Sequence, residues 1–305
     1  MPEAKTDIKN QVGGQAVIEG VMMRSKNFWA IAVRRPDKTI STELFKESSL
    51  SSKNKILGFL FIRGAVSIVE SLSLGFKALS YSVNESTDPE IKFSKKEMII
   101  SVIIAVLFVV GIFFILPTVI GRTFSNFFPS IIVYNLLEGL IRIGFFLIYI
   151  LAVSQLKDIK RVFEYHGAEH KTIQAYENGE ELKPENVIKY SRINVRCGTS
   201  FLMIVMIIAI IVFALLGKQP MLWRILSRIL LIPVIAGISY EFIKLAGKFS
   251  NTKIVKILFY PGLLLQKITT REPDTGQIEV AISSLNSVIE AEKTLKAGQN
   301  VSITG

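Results

Sequence analysis

Four long runs of apolar residues divide this chain, and the polar segments between them change period. Met98–Gly121 reads MIISVIIAVLFVVGIFFILPTVIG without one charged side chain. Ile131–Val153, Ser200–Leu216 and Trp223–Ala246 are the other three runs. A helix crossing the hydrocarbon core needs about 20 apolar residues, with about 17 as the lower limit. The pattern therefore predicts four transmembrane helices. Ahead of them the period drops to two. Ala16–Arg24, Phe28–Arg34 and Thr39–Phe45 predict short strands, with turn chemistry at Arg35-Pro36-Asp37-Lys38. These make a small antiparallel sheet outside the membrane. Gly13-Gly14 reads as a turn and Gly20 as a bulge. A phosphate cradle at the glycine pair lacks the lysine-serine/threonine signature that should follow.

Lys55–Tyr81 is apolar, but Arg63, Glu70 and Lys77 recur every seven residues and share one helix face. Such charges are costly in a span, so an interfacial or re-entrant amphipathic helix is expected. In the second apolar run, Asn135, Glu138 and Arg142 lie on one face, and Glu138 and Arg142 form an i,i+4 pair. It reads as a structural ion pair joining helices rather than as an ion path. Arg224 and Arg228 are expected to snorkel to headgroups. Between the second and third runs, Gln155–Gly179 is expected to continue the second membrane helix into water, ending at Asn178-Gly179. A further helix should open at Pro184 and run to about Asn194. Pro261-Gly262 is expected to break the basic, apolar stretch Lys248–Thr270. Asp274–Leu295 reads as an amphipathic helix with Ile278, Ile282, Leu285 and Ile289 on its stripe. The segmentation is then a disordered leader at 1–13, a β-rich segment at 14–54 and the interfacial helix with its linker at 55–97. Membrane helices follow at 98–153 and 200–246, flanking a helical loop at 154–199, with a C-terminal segment at 247–305. The fold class is an α-helical integral membrane protein with a small antiparallel β-sheet.

Charge gives the expected orientation. The net charge is +11. Fifteen lysines and arginines lie in residues 1–97, eight in 154–199 and seven in 246–305, whereas Arg122–Ser130 and Gly217–Leu222 hold one each. The positive-inside rule then places both termini and the 154–199 loop in the cytoplasm of a multi-pass cell-membrane protein. This asymmetry explains the excess better than nucleic acid does, so no nucleic-acid partner is expected. The opening residues are not those of a cleavable signal peptide. Cys197 stands alone, which leaves no intramolecular disulfide.

The chemistry gathers in one window. The chain has two histidines, and both fall in His166-Gly167-Ala168-Glu169-His170. On a helix they share a face, and the string matches the H-x-x-E-H spacing of inverted zinc peptidases. His166 and His170 are candidate ligands of a divalent transition metal, zinc first, and Glu169 is the candidate catalytic base. Two imidazoles do not complete a zinc shell. Glu19, Cys197, Glu164 and Glu177 are candidates for a third ligand, with Glu177 about 10 Å along the axis from His170. The alternative is a polar network in which both histidines hydrogen-bond neighbouring acids or the sheet.

Longer strings bring a resemblance. Gly13–Arg24 (GGQAVIEGVMMR), Arg63-Gly64-Ala65-Val66, Tyr165–Thr172 (YHGAEHKT), Arg196–Phe201 (RCGTSF) and Thr270–Asp274 resemble the YqhQ-like family of bacterial membrane proteins. That family is a domain of unknown function carrying the label of a predicted metal-dependent enzyme. The resemblance spans about Gly13 to Leu285. The family pattern carries a histidine where this chain has Asn194, which removes one further imidazole. Two functional classes follow. One is a hydrolase-like membrane enzyme, with Arg24 and Arg196 holding an anionic headgroup of a lipid or membrane-delivered substrate. The other is a non-enzymatic scaffold or adaptor in the bilayer, whose sheet, central loop and terminal helix form a docking platform, with a homo-oligomer as one form of it. A carrier ranks behind both, since one ion pair offers little for a pathway.

Overall fold

The computed structural model describes residues 12–46, 59, 62–87, 94–124, 127, 130–194, 197–217, 219–248 and 252–303. Most of the expected leader lies outside the described residues, as do the start of the Lys55–Tyr81 stretch and Arg196.

A four-stranded antiparallel sheet comes first, in the order β1 (Gly13–Val17), β2 (Gly20–Arg24), β3 (Phe28–Arg34) and β4 (Ile40–Lys46). The sequence pattern predicts three strands, and the structure has four. What reads as one strand over Ala16–Arg24 is a hairpin in which Val17 faces Gly20. Ile18 and Glu19 form its turn, with Glu19 at φ +52. Gly20 is therefore no bulge. It is a close-approach position, since a Cβ there would lie 2.4 Å from the Ala32 carbonyl oxygen. β3 reads as almost unbroken apolar sequence because both sheet faces are covered. Val21, Met23, Ala30 and Ala32 pack on one side; Val17, Met22, Trp29, Ile31 and Val33 pack on the other.

Helix α1 (Ile62–Ser86) covers the second face with Leu74 and Ala78. Its other end is tied to the apolar helices by Arg63, which donates to both oxygens of Glu241 at 2.6 and 2.5 Å. Helix α2 (Lys95–Val110) starts at a capping box, in which Ser94 accepts from the Glu97 N–H. It continues through a π-helical turn at Gly111–Ile115 into α3 (Leu116–Thr123). Then come α4 (Ile131–Val153), α5 (Lys157–Asn178), the short α6 (Pro184–Val187) and α7 (Gly198–Leu215). Last are α8 (Met221–Leu230), α9 (Ile232–Lys248), α10 (Lys253–Thr269) and α11 (Thr275–Lys296).

Three helices among the described residues are long and apolar enough to cross a membrane: Ile99–Thr123, α4 and α7. The α8–α9 pair, bent by 43°, brings the number to four when taken as one span. The protein is thus mostly helical, with three or four candidate spans and one small sheet. Three local expectations change. α5 does not continue α4, because Leu156 is extended (ψ 136) and caps a new helix. α6 stops after one turn. Pro261 lies inside α10 without ending it. There Gly262 faces α7, where a Cβ would meet the Ser200 Cα at 2.6 Å, and this close packing holds the helix together.

A fourth change concerns charge inside the apolar helices. Arg224 and Arg228 do not reach for headgroups. Glu138 accepts from Arg142 Nη2 (3.1 Å), Arg224 Nε (2.9 Å), Arg228 Nε (3.1 Å) and Thr118 Oγ1 (3.1 Å). Arg224 also bonds Asn135, and Arg142 donates to the carbonyl of Phe113 in the π turn at 2.7 Å. The guanidinium carbons of Arg224 and Arg228 lie 4.0 Å and 4.5 Å from the ring centroids of Tyr134 and Phe213. Headgroups would offer each arginine one anion, whereas the bundle offers a shared carboxylate and aromatic faces.

The first sheet face is closed by α5 and α11. Tyr165 and Ala168 of α5 join Ile278, Ala281, Leu285 and Val288 of α11 in one core. Ser284 bonds the backbone at Met23 and Ala30, and Glu292 accepts from Ser25 and from the backbone of Asn27. The chain's two ends therefore build one domain, with α5 between them.

Candidate metal centre

α5 carries the histidine window into the seam between the β-sheet and the apolar helices. His166 and His170 lie one turn apart, with ring centroids 4.4 Å apart. Gly167 lets this turn approach the segment after α10, since a Cβ there would sit 2.0 Å from the Arg271 carbonyl oxygen. Cys197 caps α7 at the same level, and its thiol lies 3.1 Å from the Thr199 hydroxyl.

Two backbone carbonyls set the imidazoles. His166 Nδ1 lies 2.8 Å from the Thr269 oxygen, and His170 Nδ1 lies 2.6 Å from the Arg192 oxygen. A carbonyl only accepts, so each Nδ1 carries a proton, which leaves Nε2 as the nitrogen that can offer a lone pair to a metal. His166 Nε2 lies 3.2 Å from the Cys197 sulfur. His170 Nε2 is buried without any partner. One ligand atom from each of His166, His170 and Cys197 can be chosen so that all lie within 4.8 Å of one another. Donors around a tetrahedral zinc stand about 3.3–3.8 Å apart, so the set is open by about an ångström. Two imidazoles, a thiol and carbonyl-fixed tautomers form a donor set that suits zinc. The buried, unpartnered Nε2 gives that fit its physical motive, because a buried polar atom without a partner is costly.

Glu169 lies beside the cluster and is almost fully buried. Burial pushes its carboxyl up to about 7, against the lowering effects of His166 and the Ala16 N–H. A carboxyl balanced there exchanges a proton near neutral pH. Gly14 makes room for it, since a Cβ at that position would touch the Glu169 side chain at 2.8 Å.

The structure brings together four of the sequence candidates, His166, His170, Cys197 and Glu169, and leaves others apart. Glu19 stays in the hairpin turn, where Arg161 takes both of its oxygens and Tyr165 lies 3.3 Å away. Glu164 accepts from Gln277 at 2.8 Å. Arg24 lines a cavity of about 960 Å³ that opens beside the cluster and reaches along α1 to α7 and α9. Sequence reasoning missed the orienting partners Thr269 and Arg192. Both act through backbone carbonyls, which no side-chain pattern signals. It also missed the α1 wall of the cavity, formed by Ser71, Leu72 and Phe76.

Comparison with known proteins agrees with the sequence strings. A family model described as "Protein of unknown function (DUF1385)" matches residues 59–291. The chain is 34% identical to "Uncharacterized protein YqhQ" of Bacillus subtilis (strain 168), over 98% of each chain. No solved structure matches.

Proposed function

Taking as premise that the chain belongs to the DUF1385, YqhQ-like family, we propose that it is a metal-dependent, hydrolase-like enzyme working at the membrane surface. His166, His170 and Cys197 would hold one divalent transition metal, zinc first, and Glu169 would move the proton. The observation that carries this reading is the buried, unpartnered His170 Nε2, aimed by a carbonyl toward a second imidazole and a thiol. A metal held there supplies Lewis-acid activation of a water or of an ester, phosphoester or amide oxygen. The chain's own groups do the rest. The carbonyls of Thr269 and Arg192 hold the two tautomers, and burial keeps Glu169 ready to take or return a proton. Glu19, bound to Arg161, would brace α5 against the hairpin.

The same reading has four crossings in the cell membrane, with both termini and residues 154–199 in the cytoplasm. The uneven placement of lysine and arginine supports it. Single cysteines at Asn10→Cys, Lys218→Cys and Ser302→Cys in a Cys197→Ser background should react with an impermeant thiol reagent in intact cells only at position 218. Labelling at 10 or 302 without 218 would reverse the orientation.

The deciding experiment is elemental analysis of the full chain purified gently in mild detergent. About one zinc per chain is expected, falling toward none in His166→Ala and His170→Ala and persisting in Glu169→Gln. Retention should also fall as pH drops below about 6, where imidazole protonates. Metal-free protein whose melting temperature does not rise with added zinc would sink the enzyme reading and leave the scaffold.

A further inference from the structure

The cavity beside the cluster has the wrong walls for a small polar metabolite. Its volume is about 960 Å³, at the upper end of small-molecule sites. One end is polar, with His166, His170, Glu169 and Cys197. The rest is largely apolar and runs along α1 to Leu202 of α7 and Ile243 of α9. Leu72, Phe76 and Leu202 line it and are also exposed. Exposed apolar side chains at a cavity mouth, on helices next to candidate spans, face lipid more favourably than water. The Arg63–Glu241 pair fixes α1 against α9, so this opening is built into the fold.

A positive charge lies on the wall of the cavity next to α1. Arg24 lines the cavity, and its contact there is Ser71, whose hydroxyl lies 3.5 Å from Nη1. Among the described residues it has no carboxylate partner. Elsewhere arginines beside this region are matched: Arg161 with Glu19, Arg63 with Glu241 and Arg35 with Glu85. A guanidinium fork held at the wall of a mostly apolar cavity is suited to a phosphate or carboxylate oxygen.

We infer that the cavity takes an anionic amphiphile from the bilayer, with its phosphate or carboxylate head at Arg24 and its acyl chain along α1 between Phe76 and Leu202. This deepens the proposed function by naming its substrate class, and it rests on that reading for turnover but not for binding. The chain gains little by leaving lipid for an equally apolar wall. Discrimination therefore comes from the head at Arg24, and the bilayer supplies the ligand at high local concentration.

Binding is tested on the full chain in phosphatidylcholine nanodiscs, using dodecyl phosphate, dodecanol and inorganic phosphate as probes. Dodecyl phosphate should bind, dodecanol should bind about tenfold more weakly, and inorganic phosphate should not compete at equal concentration. Arg24→Gln should weaken dodecyl phosphate about tenfold. Ser71→Trp should also weaken it by filling the cavity from a position that is exposed, so its folding is checked by an unchanged melting temperature. His166→Ala should retain binding within about threefold, which separates this inference from the metal reading. Inorganic phosphate competing as well as dodecyl phosphate would make the site one for free anions and overturn the inference. So would dodecanol binding equally well, or wild-type affinity in both Arg24→Gln and folded Ser71→Trp.

Discussion

Two buried polar clusters lie in this molecule, and they are built on opposite plans. Around Glu138, one carboxylate accepts four hydrogen bonds, three of them from arginines, Arg142 of α4 and Arg224 and Arg228 of α8. Around His170, two imidazoles, a thiol and a carboxyl are held in place by neighbouring backbone, and one buried nitrogen is left without a partner. Both clusters put polar atoms where burial is expensive. The first recovers the cost internally and fastens helices together. The second holds lone pairs at fixed positions for something outside the chain. Completeness of hydrogen bonding, more than the presence of charge, separates cement from a receptor.

The largest effect should come from removing the shared anchor. Glu138→Gln leaves three arginines without their carboxylate and should cost about 3–5 kcal/mol in a detergent melt. Arg142→Gln leaves Glu138 with Arg224 and Arg228 and should cost only about 1 kcal/mol. Equal costs would mean that Glu138 and Arg142 form an isolated pair.

Metal should act only on the other cluster. Zinc at a hundredfold over its dissociation constant should stabilise the wild type by about 2.7 kcal/mol. Cys197→Ser should lose most of that gain while melting, without metal, within about 0.5 kcal/mol of the wild type, since serine also caps a helix well. A full zinc response in this variant would remove Cys197 from the ligand set.

Glu292 provides a control, being a buried acid in neither cluster. Burial acts to raise its carboxyl, but hydrogen bonds from Ser25 and Asn27 outweigh that and hold it below its usual range. Its contribution is therefore present above the unfolded value of about 4.5 and is lost as pH falls through the lowered folded value. Glu292→Gln should cost about 1 kcal/mol at neutral pH and flatten the acid side of the stability profile. An unchanged profile would show that the sheet's contact with α11 does not titrate. The smallest effect belongs to Gly14→Ala, which should displace Glu169 and alter metal stoichiometry by less than about a tenth while costing about 1 kcal/mol. Metal loss in that variant would make Glu169 a ligand rather than a base.

The parts legible in sequence were those with local causes. The apolar runs are long enough to show candidate spans, and Gly179 ends α5 at φ +80. The histidine window is local too, as i,i+4 spacing needs only a helix. What sequence did not show depends on distant partners. Arg224 and Arg228 read as surface anchors because nothing nearby reveals that Glu138, 86 and 90 residues away, lies between them. Glu19 reads as a candidate third ligand until α5 brings Arg161 to it. The extra hairpin was hidden because Ile18 continues the apolar pattern through its own turn.

The pairing of the first strands with the last helix also counts crossings. Ser284 bonds Met23 and Ala30, and α5 packs on the same sheet face. Residues 12–46, α5 and α11 thus pack as one body, so a bilayer lying between any two of them would have to be crossed an even number of times. The run through α2 and α3 and the return through α4 are two candidate crossings. α7 is a third, and a return would be needed before Thr269 meets His166. α10 cannot make it, because its apolar part, Ile257–Thr269, extends about 20 Å against a core of about 30 Å. Counted as one span, the bent α8–α9 pair brings the candidate crossings to four, the even number that this pairing calls for. Failed insertion of any single span would leave Leu285 and its neighbours on the opposite side from their sheet. Docking of α11 on the sheet is thereby a condition that all the candidate crossings before it have to satisfy together.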